Sequence, residues 1–173
     1  MSQYYPGTKI GITEYNWGGL NSINGALAQA DVLGIFGRES LDLATLWGPP
    51  DQSWVGANAF RIYRNYDGAG STYGDTWVRS TSSDPSSVAI YTAQRSTDSA
   101  LTVIAINKTG ADVRASVALA NARPGGPAQI YQLTPAAPTA IVRGTDRWVH
   151  LHGYMQLFPA NSVTLIVVPR RIQ

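Results

Sequence analysis

The residue pattern of this chain changes character across Asp67-Gly-Ala-Gly-Ser-Thr-Tyr-Gly74, and no other feature restricts the fold as much. Upstream, apolar runs of strand length alternate with runs at helical spacing. Residues 8–16 read as a short buried strand, because Ile10 and Ile12 lead into Thr13 and Glu14 with no charge between them. Asn21 or Ser22 is placed to cap the helix that follows. Along that helix Ile23, Leu27, Ala30 and Leu33 recur on one face, Ala26, Val32, Ile35 and Phe36 widen it, and Gly37 ends it. A second buried strand over 41–47 stops at Gly48-Pro49-Pro50, and a second helix over 57–64 ends at Asn65-Tyr66-Asp67-Gly68. The order strand, helix, strand, helix requires a parallel sheet with helices on its faces.

Downstream, β-rich runs at 75–80, 87–94, 100–107, 113–120, 128–133, 140–143, 148–152, 154–158 and 162–168 alternate with turn residues. The punctuation includes Ser82-Ser-Asp-Pro85, Lys108-Thr-Gly110, Arg123-Pro-Gly-Gly126 and residues 135–138. Strands recurring at roughly 8–12-residue spacing predict an antiparallel sandwich. The run 100–107 is apolar on both faces, with Leu101, Val103 and Ala105 on one and Thr102, Ile104 and Ile106 on the other. That predicts a strand buried on both sides. With 173 residues the chain is long enough for a sizeable core. Two βα units cannot close a barrel, which takes eight strands and typically about 250 residues.

Composition narrows the chemistry. The chain is 44% hydrophobic and 14% charged, a globular rather than a disordered composition. Its pI near 9.0 reflects few ionisable groups, since the formal charge is only +2. Basic residues adjoin at Arg170-Arg171, too little for a nucleic-acid partner. The absence of cysteine excludes disulfides, thiolate metal sites and a cysteine nucleophile. Met1-Ser-Gln-Tyr-Tyr5 is not a signal peptide, and no apolar run is long enough to cross a membrane, so any export signal is expected upstream. Acid/base groups are scarce: Glu14 and Glu39 are the only glutamates, and His150 and His152 the only histidines.

The run Lys9-Ile-Gly-Ile-Thr-Glu-Tyr-Asn-Trp-Gly-Gly19 puts a carboxylate at the C-terminal end of a strand, followed by two aromatic residues. In α/β barrels the loops after the strands build the active site. A carboxylate there, beside rings able to stack on a sugar, points to a glycosidase acid. From position alone, a capping or salt-bridging role is the commoner one for a lone glutamate at a strand end.

Four segments in order carry a resemblance. They are Ile12-Thr-Glu-Tyr-Asn-Trp-Gly-Gly19, Ile23-Asn-Gly-Ala-Leu-Ala-Gln-Ala-Asp-Val-Leu-Gly-Ile-Phe-Gly-Arg38, Ala44-Thr-Leu-Trp-Gly-Pro49 and Ala59-Phe-Arg-Ile-Tyr-Arg-Asn-Tyr-Asp-Gly68. Together they resemble glycoside hydrolase family 44, the endoglucanases and xyloglucanases. The resemblance covers 1–72 closely and 73–173 more loosely. It implies the last two βα units of a (β/α)8 barrel over 1–72, followed by an antiparallel β-sandwich accessory domain over 73–173. It implies that Glu14 is the nucleophile of a retaining β-1,4-glucanase, with the general acid/base glutamate on an earlier barrel strand, so that the chain alone does not hydrolyse glucan. Trp47 and Trp17 are then sugar platforms. Tyr15 and Asn16 orient Glu14 or bond a sugar hydroxyl. The implied partners are β-1,4-glucans such as cellulose, carboxymethylcellulose and xyloglucan, and the implied location is extracellular. No cofactor or metal is called for.

Other residues fit structural roles better. Glu39 lies past a helix end, Asp31 is in mid-helix, and Asp51 follows the second strand with nothing marking it as an acid. Arg61, Tyr63 and Arg64 are expected to seal the helices against the sandwich, Trp77 and Trp148 to lie in its core, and Trp54 to be exposed in a loop. Asp67, Asp75 and Asp84 fit turns. His150 and His152 share a strand face at a spacing that can bind zinc, but no third ligand is evident. Two other readings stand beside the enzyme fragment. One is a non-catalytic β-sandwich that binds polysaccharide, and the other is a chain whose copies pair through open sheet edges to complete the barrel.

Overall fold

The computed structural model describes residues 3–150 and 153–170. The first part is β1 (Gly11–Tyr15), α1 (Ile23–Arg38), β2 (Leu43–Leu46) and α2 (Val55–Arg64). β1 and β2 run parallel, as the alternation with helices requires. Ser22 caps α1 and accepts a hydrogen bond from the Gly25 amide at 3.3 Å. The helix runs one residue past Gly37 and closes on Glu39, whose amide bonds back to Ile35 and Gly37. The left-handed position falls later, on Ser40 with φ 55°.

The second part holds β3 (Thr76–Val78), β4 (Val88–Gln94), β5 (Leu101–Asn107), β6 (Val113–Val117), β7 (Gln129–Thr134), β8 (Ala137–Arg143), β9 (Tyr154–Phe158) and β10 (Ser162–Val168). A six-stranded sheet has the order β3-β4-β5-β10-β7-β8, and a two-stranded sheet pairs β6 with β9. All the pairings in these two sheets are antiparallel. β5 and β10 lie at the centre, and β10 is buried at all seven positions. Ile104 and Ile106 of β5 face one core while Val103 and Ala105 face another, so the two-sided burial expected there is observed.

One core lies between the six-stranded sheet and the two helices, joining Ala26, Leu27, Ala30 and Ile62 to Ile104, Leu133 and Leu165. The other lies between the two sheets, where Val117 and Phe158 meet Val103, Ile130 and Ile166. The six-stranded sheet is therefore covered by α1 and α2 on one face and by β6-β9 on the other. α1 approaches closely at Gly34, where an added Cβ would lie 2.3 Å from the Tyr91 ring. Asp31 of α1 accepts hydrogen bonds from the Tyr91 hydroxyl (2.6 Å) and from Lys108 (3.1 Å), fixing the helix across the sheet.

Several expectations need correction. Trp77 and Trp148 are 49% and 71% exposed, not core. Trp77 lies on the short edge strand β3, and Trp148 follows an isolated bridge between Ala128 and Arg147 rather than sitting inside a strand. No strand forms over 148–150, and His152 lies outside the described residues. β8 begins at Ala137, inside the stretch read as a turn, with Pro138 accommodated because β8 is an edge strand. Tyr63 is buried in the core that the helices share with the six-stranded sheet. It donates to the Ala30 carbonyl at 2.8 Å and joins α2 to α1. Arg61 bonds within its own neighbourhood, to Asn58 and the Gln52 carbonyl, and Arg64 is exposed. The contact to the sheet is made by Asn58, donating to the Pro138 carbonyl, and by Tyr66, packed 4.6 Å from Tyr131.

Candidate active site

The C-terminal ends of β1 and β2 meet in a small constellation built by a defect in the ladder. Ile12 pairs with Ala44, but the next pair is Tyr15 with Leu46, so β1 spends three residues where β2 spends two. Such a bulge re-aims the side chains at that point. Tyr15 turns toward α1, where its hydroxyl accepts from Gln29 at 3.0 Å and its ring lies edge-on to Phe36. Alternation then puts Glu14 on the opposite face, the one shared with Leu43 and Thr45. Thr45 closes the bulge by donating its hydroxyl to the carbonyls of Thr13 and Ile12.

The two loops that follow are stapled together. The Trp47 amide donates to the Tyr15 carbonyl at 2.8 Å, continuing the ladder past β2. The Asn16 side chain donates to the Trp47 carbonyl at 2.6 Å and accepts from the Gly18 amide at 2.7 Å. Asn16 thus joins the strand that carries Glu14 to the loop that carries Trp47. Gly18 and Gly19 take φ of 70° and 62°, which turns the chain sharply into α1. Trp17 and Trp47 are left 60% and 66% exposed, and the Trp17 ring lies 6.3 Å from Tyr15.

Six acids occur in the first 70 residues, and five have partners. Asp31 holds Tyr91 and Lys108, and Glu39 pairs with Arg38 at 2.8 Å. Asp42 caps the opposite end of the strand pair through the Ile10 amide. Asp51 accepts from the Ser53 hydroxyl and amide, which hold its carboxyl below the usual range. Asp67 accepts from the amides of Ala69 and Ser71. Glu14 is the exception: among the described residues its carboxylate has neither an ion pair nor a side-chain hydrogen bond, and it is exposed at the strand end.

Glu14, Tyr15, Asn16, Trp17 and Trp47 all lie at the C-terminal end of the parallel pair or in the loops just after it, but neither Tyr15 nor Asn16 bonds Glu14 as expected: Tyr15 turns to α1 on the opposite face, and the Asn16 amide is taken up by the backbone of Trp47 and Gly18. Sequence reasoning missed Gln29 and Thr45. Gln29 is fully buried and directs the Tyr15 hydroxyl, while its own Oε1 has no protein partner. Its signal was a lone amide beside the apolar stripe of α1. Thr45 gave no signal, because only the bulge creates its role.

The solved structures that match this arrangement almost from end to end are glycoside hydrolases. The chain matches the C-terminal portion of the endoglucanases and xyloglucanases of glycoside hydrolase family 44. The bifunctional glucanase-xylanase CelM2, from a metagenome library, superposes with a TM-score of 0.93 at 45% identity, over 98% of this chain and 32% of that one. The family 44 endoglucanase of Clostridium acetobutylium superposes with a TM-score of 0.90 at 30% identity, over 97% of this chain and 33% of that one. The beta-mannanase/endoglucanase A of Caldicellulosiruptor saccharolyticus is 45% identical over 109 residues, 62% of this chain and 8% of its own length. The chain thus spans about a third of each solved relative and a smaller share of the curated one. No protein-family model matches it.

Proposed function

We propose that this chain supplies the nucleophile half of a retaining endo-β-1,4-glucanase site, with β1-α1-β2-α2 as the last two βα units of a (β/α)8 barrel and residues 73–173 as its sandwich. The observation that carries the reading is the exposed carboxylate of Glu14, without a partner among the described residues, at the C-terminal end of a parallel strand pair whose following loops carry the exposed Trp17 and Trp47. In a retaining mechanism a carboxylate attacks the anomeric carbon and a second carboxyl group about 5–5.5 Å away protonates the leaving oxygen. Glu14 is suited to the first role because, among the described residues, no donor competes for its oxygens. The other five acids of the first 70 residues are engaged elsewhere and do not suit the second. The general acid/base is therefore assigned to a part of the enzyme outside these 173 residues.

In this reading Trp47 and Trp17 pack against the apolar faces of β-linked glucose rings. Asn16 sets the distance between the Glu14 strand and the Trp47 platform, and Tyr15, anchored by Gln29, fixes the backbone on the far side of Glu14. The substrates are soluble or accessible β-1,4-glucans, including carboxymethylcellulose and xyloglucan. An extracellular location belongs to the same reading, since such polymers are degraded outside the cell. The barrel end and the sandwich share a core through Ala26, Ile62, Ile104 and Leu165, so they act as one rigid support.

The test is release of reducing ends from carboxymethylcellulose and xyloglucan. The chain alone is expected to release none. Joined to the N-terminal portion of a family 44 relative, it is expected to turn over, and Glu14→Gln to lower that turnover by at least about a thousandfold. Glu14-dependent turnover by the chain alone, or undiminished turnover by the Glu14→Gln joined enzyme, overturns the reading.

A further inference from the structure

One end of the antiparallel sheets carries an aromatic site that the Glu14 constellation does not use. Trp148 is 71% exposed, yet its surroundings are fixed. Its neighbour Val149 is buried between the two sheets, and Arg147 exchanges two backbone hydrogen bonds with Ala128, at 2.7 and 2.9 Å. The indole is thus presented on ordered backbone and costs little further entropy to engage. Trp148 lines a shallow cleft of about 300 Å³ with Pro124, Gly125 and Gly126. Pro124 also borders a larger cleft of about 390 Å³, walled by Leu101, Gln94, Asn121, Arg123 and Arg170. The shared wall is held by the bridge between Pro124 and Arg170 and by a 2.7 Å hydrogen bond from the Gly125 amide to the Pro169 carbonyl. Arg123 and Arg170 wall the larger cleft, and among the described residues neither has an acidic partner.

We propose that these two adjoining clefts, which share Pro124 as a wall, form a secondary attachment site for a β-1,4-linked plant-wall polysaccharide bearing uronic acid side groups. A flat indole accepts a pyranose face, and amide side chains such as Gln94 and Asn121 match ring hydroxyls. Guanidinium forks match carboxylates, which a neutral glucan does not offer. The ligand class rests on the glycan-degrading reading above. The site itself is separate from the barrel end, so the two stand or fall by different readouts.

Calorimetric titration of the 173-residue chain at near-physiological salt tests it, with three probes: glucuronoxylan, the same xylan after reduction of its carboxyl groups, and dextran sulfate. Binding to glucuronoxylan is expected. Carboxyl reduction, Arg123→Ala, Arg170→Ala and Trp148→Ala are each expected to weaken it about tenfold. Trp148→Phe is expected to retain most of it, and Trp54→Ala, at an exposed indole outside both clefts, all of it, with circular dichroism confirming that each variant is folded. Three results overturn the proposal: no binding to glucuronoxylan, dextran sulfate binding as tightly and indifferent to Trp148→Ala, or binding lost equally with Trp54→Ala. Failure here leaves Glu14-dependent hydrolysis by the joined enzyme untouched, and loss of that hydrolysis leaves this titration untouched.

Discussion

Asn16 makes two hydrogen bonds that no apolar residue can replace, one to the Trp47 carbonyl and one from the Gly18 amide. Asn16→Ala is expected to cost about 1 kcal/mol of stability, because both groups are near solvent and can turn to water. The larger effect falls on function: the joined enzyme should lose kcat as Trp47 drifts from Glu14, which steady-state kinetics on xyloglucan will show. Elsewhere single carboxyls respond to pH. The hydroxyls of Ser86 and Ser87, with backbone amides, lower Asp84 from 3.8 to about 2. A depressed carboxyl contributes stability that is fully present above its unfolded value and lost as pH falls through the folded one. Melting temperature should therefore drop between about pH 4 and pH 2, and Asp84→Asn should flatten that part of the curve. At this scale the sequence was partly legible. That Glu14, Trp17 and Trp47 lie at or just beyond the ends of the parallel strands was legible from residue type and order, whereas Gln29 offered only a lone amide on α1 and Thr45 nothing, because the bulge alone creates its role.

Among the elements, α1 depends on closeness to the sheet. Gly34→Ala adds helix propensity worth up to about 1 kcal/mol, yet its Cβ would sit 2.3 Å from the Tyr91 ring. Overpacking of that kind costs typically about 1–3 kcal/mol and should also loosen the hydrogen bond from Tyr91 to Asp31. Net destabilisation in thermal unfolding is the expected sign, and a stabilised variant would show that the helix can lift freely. The strands most legible in sequence were the central ones. β5 and β10 are apolar on both faces and buried on both, so composition and burial agree. The edges were not legible. Trp77 has the apolar character of a core residue, but β3 is only three residues long and lies at the rim, so nothing covers it. Trp148 follows a bridge rather than a strand, and no periodicity announces that. β8 ran through a proline expected to break it, which only an edge position permits.

Taken whole, the molecule has one well-covered half and one open face. The six-stranded sheet is packed on both faces at its centre, whereas the parallel pair has helices on one side only, and Ile10, Leu43 and Trp47 are exposed on the pair or just beyond it. Parallel strands are rarely left so bare. The isolated chain is accordingly expected to self-associate with rising concentration, and light scattering should show the joined enzyme as a monomer under the same conditions. A clean monomer of the isolated chain at high concentration would show that this face is stable in water. The central claim concerns Glu14 itself and is reached most directly by covalent trapping. A dinitrophenyl 2-deoxy-2-fluoro-β-cellobioside needs no acid to release its leaving group and slows hydrolysis of the glycosyl-enzyme. Peptide mass spectrometry of the joined enzyme should find one label per chain, on Glu14; a label on any other carboxylate, or turnover of the reagent with Glu14 unmodified, would contradict the account.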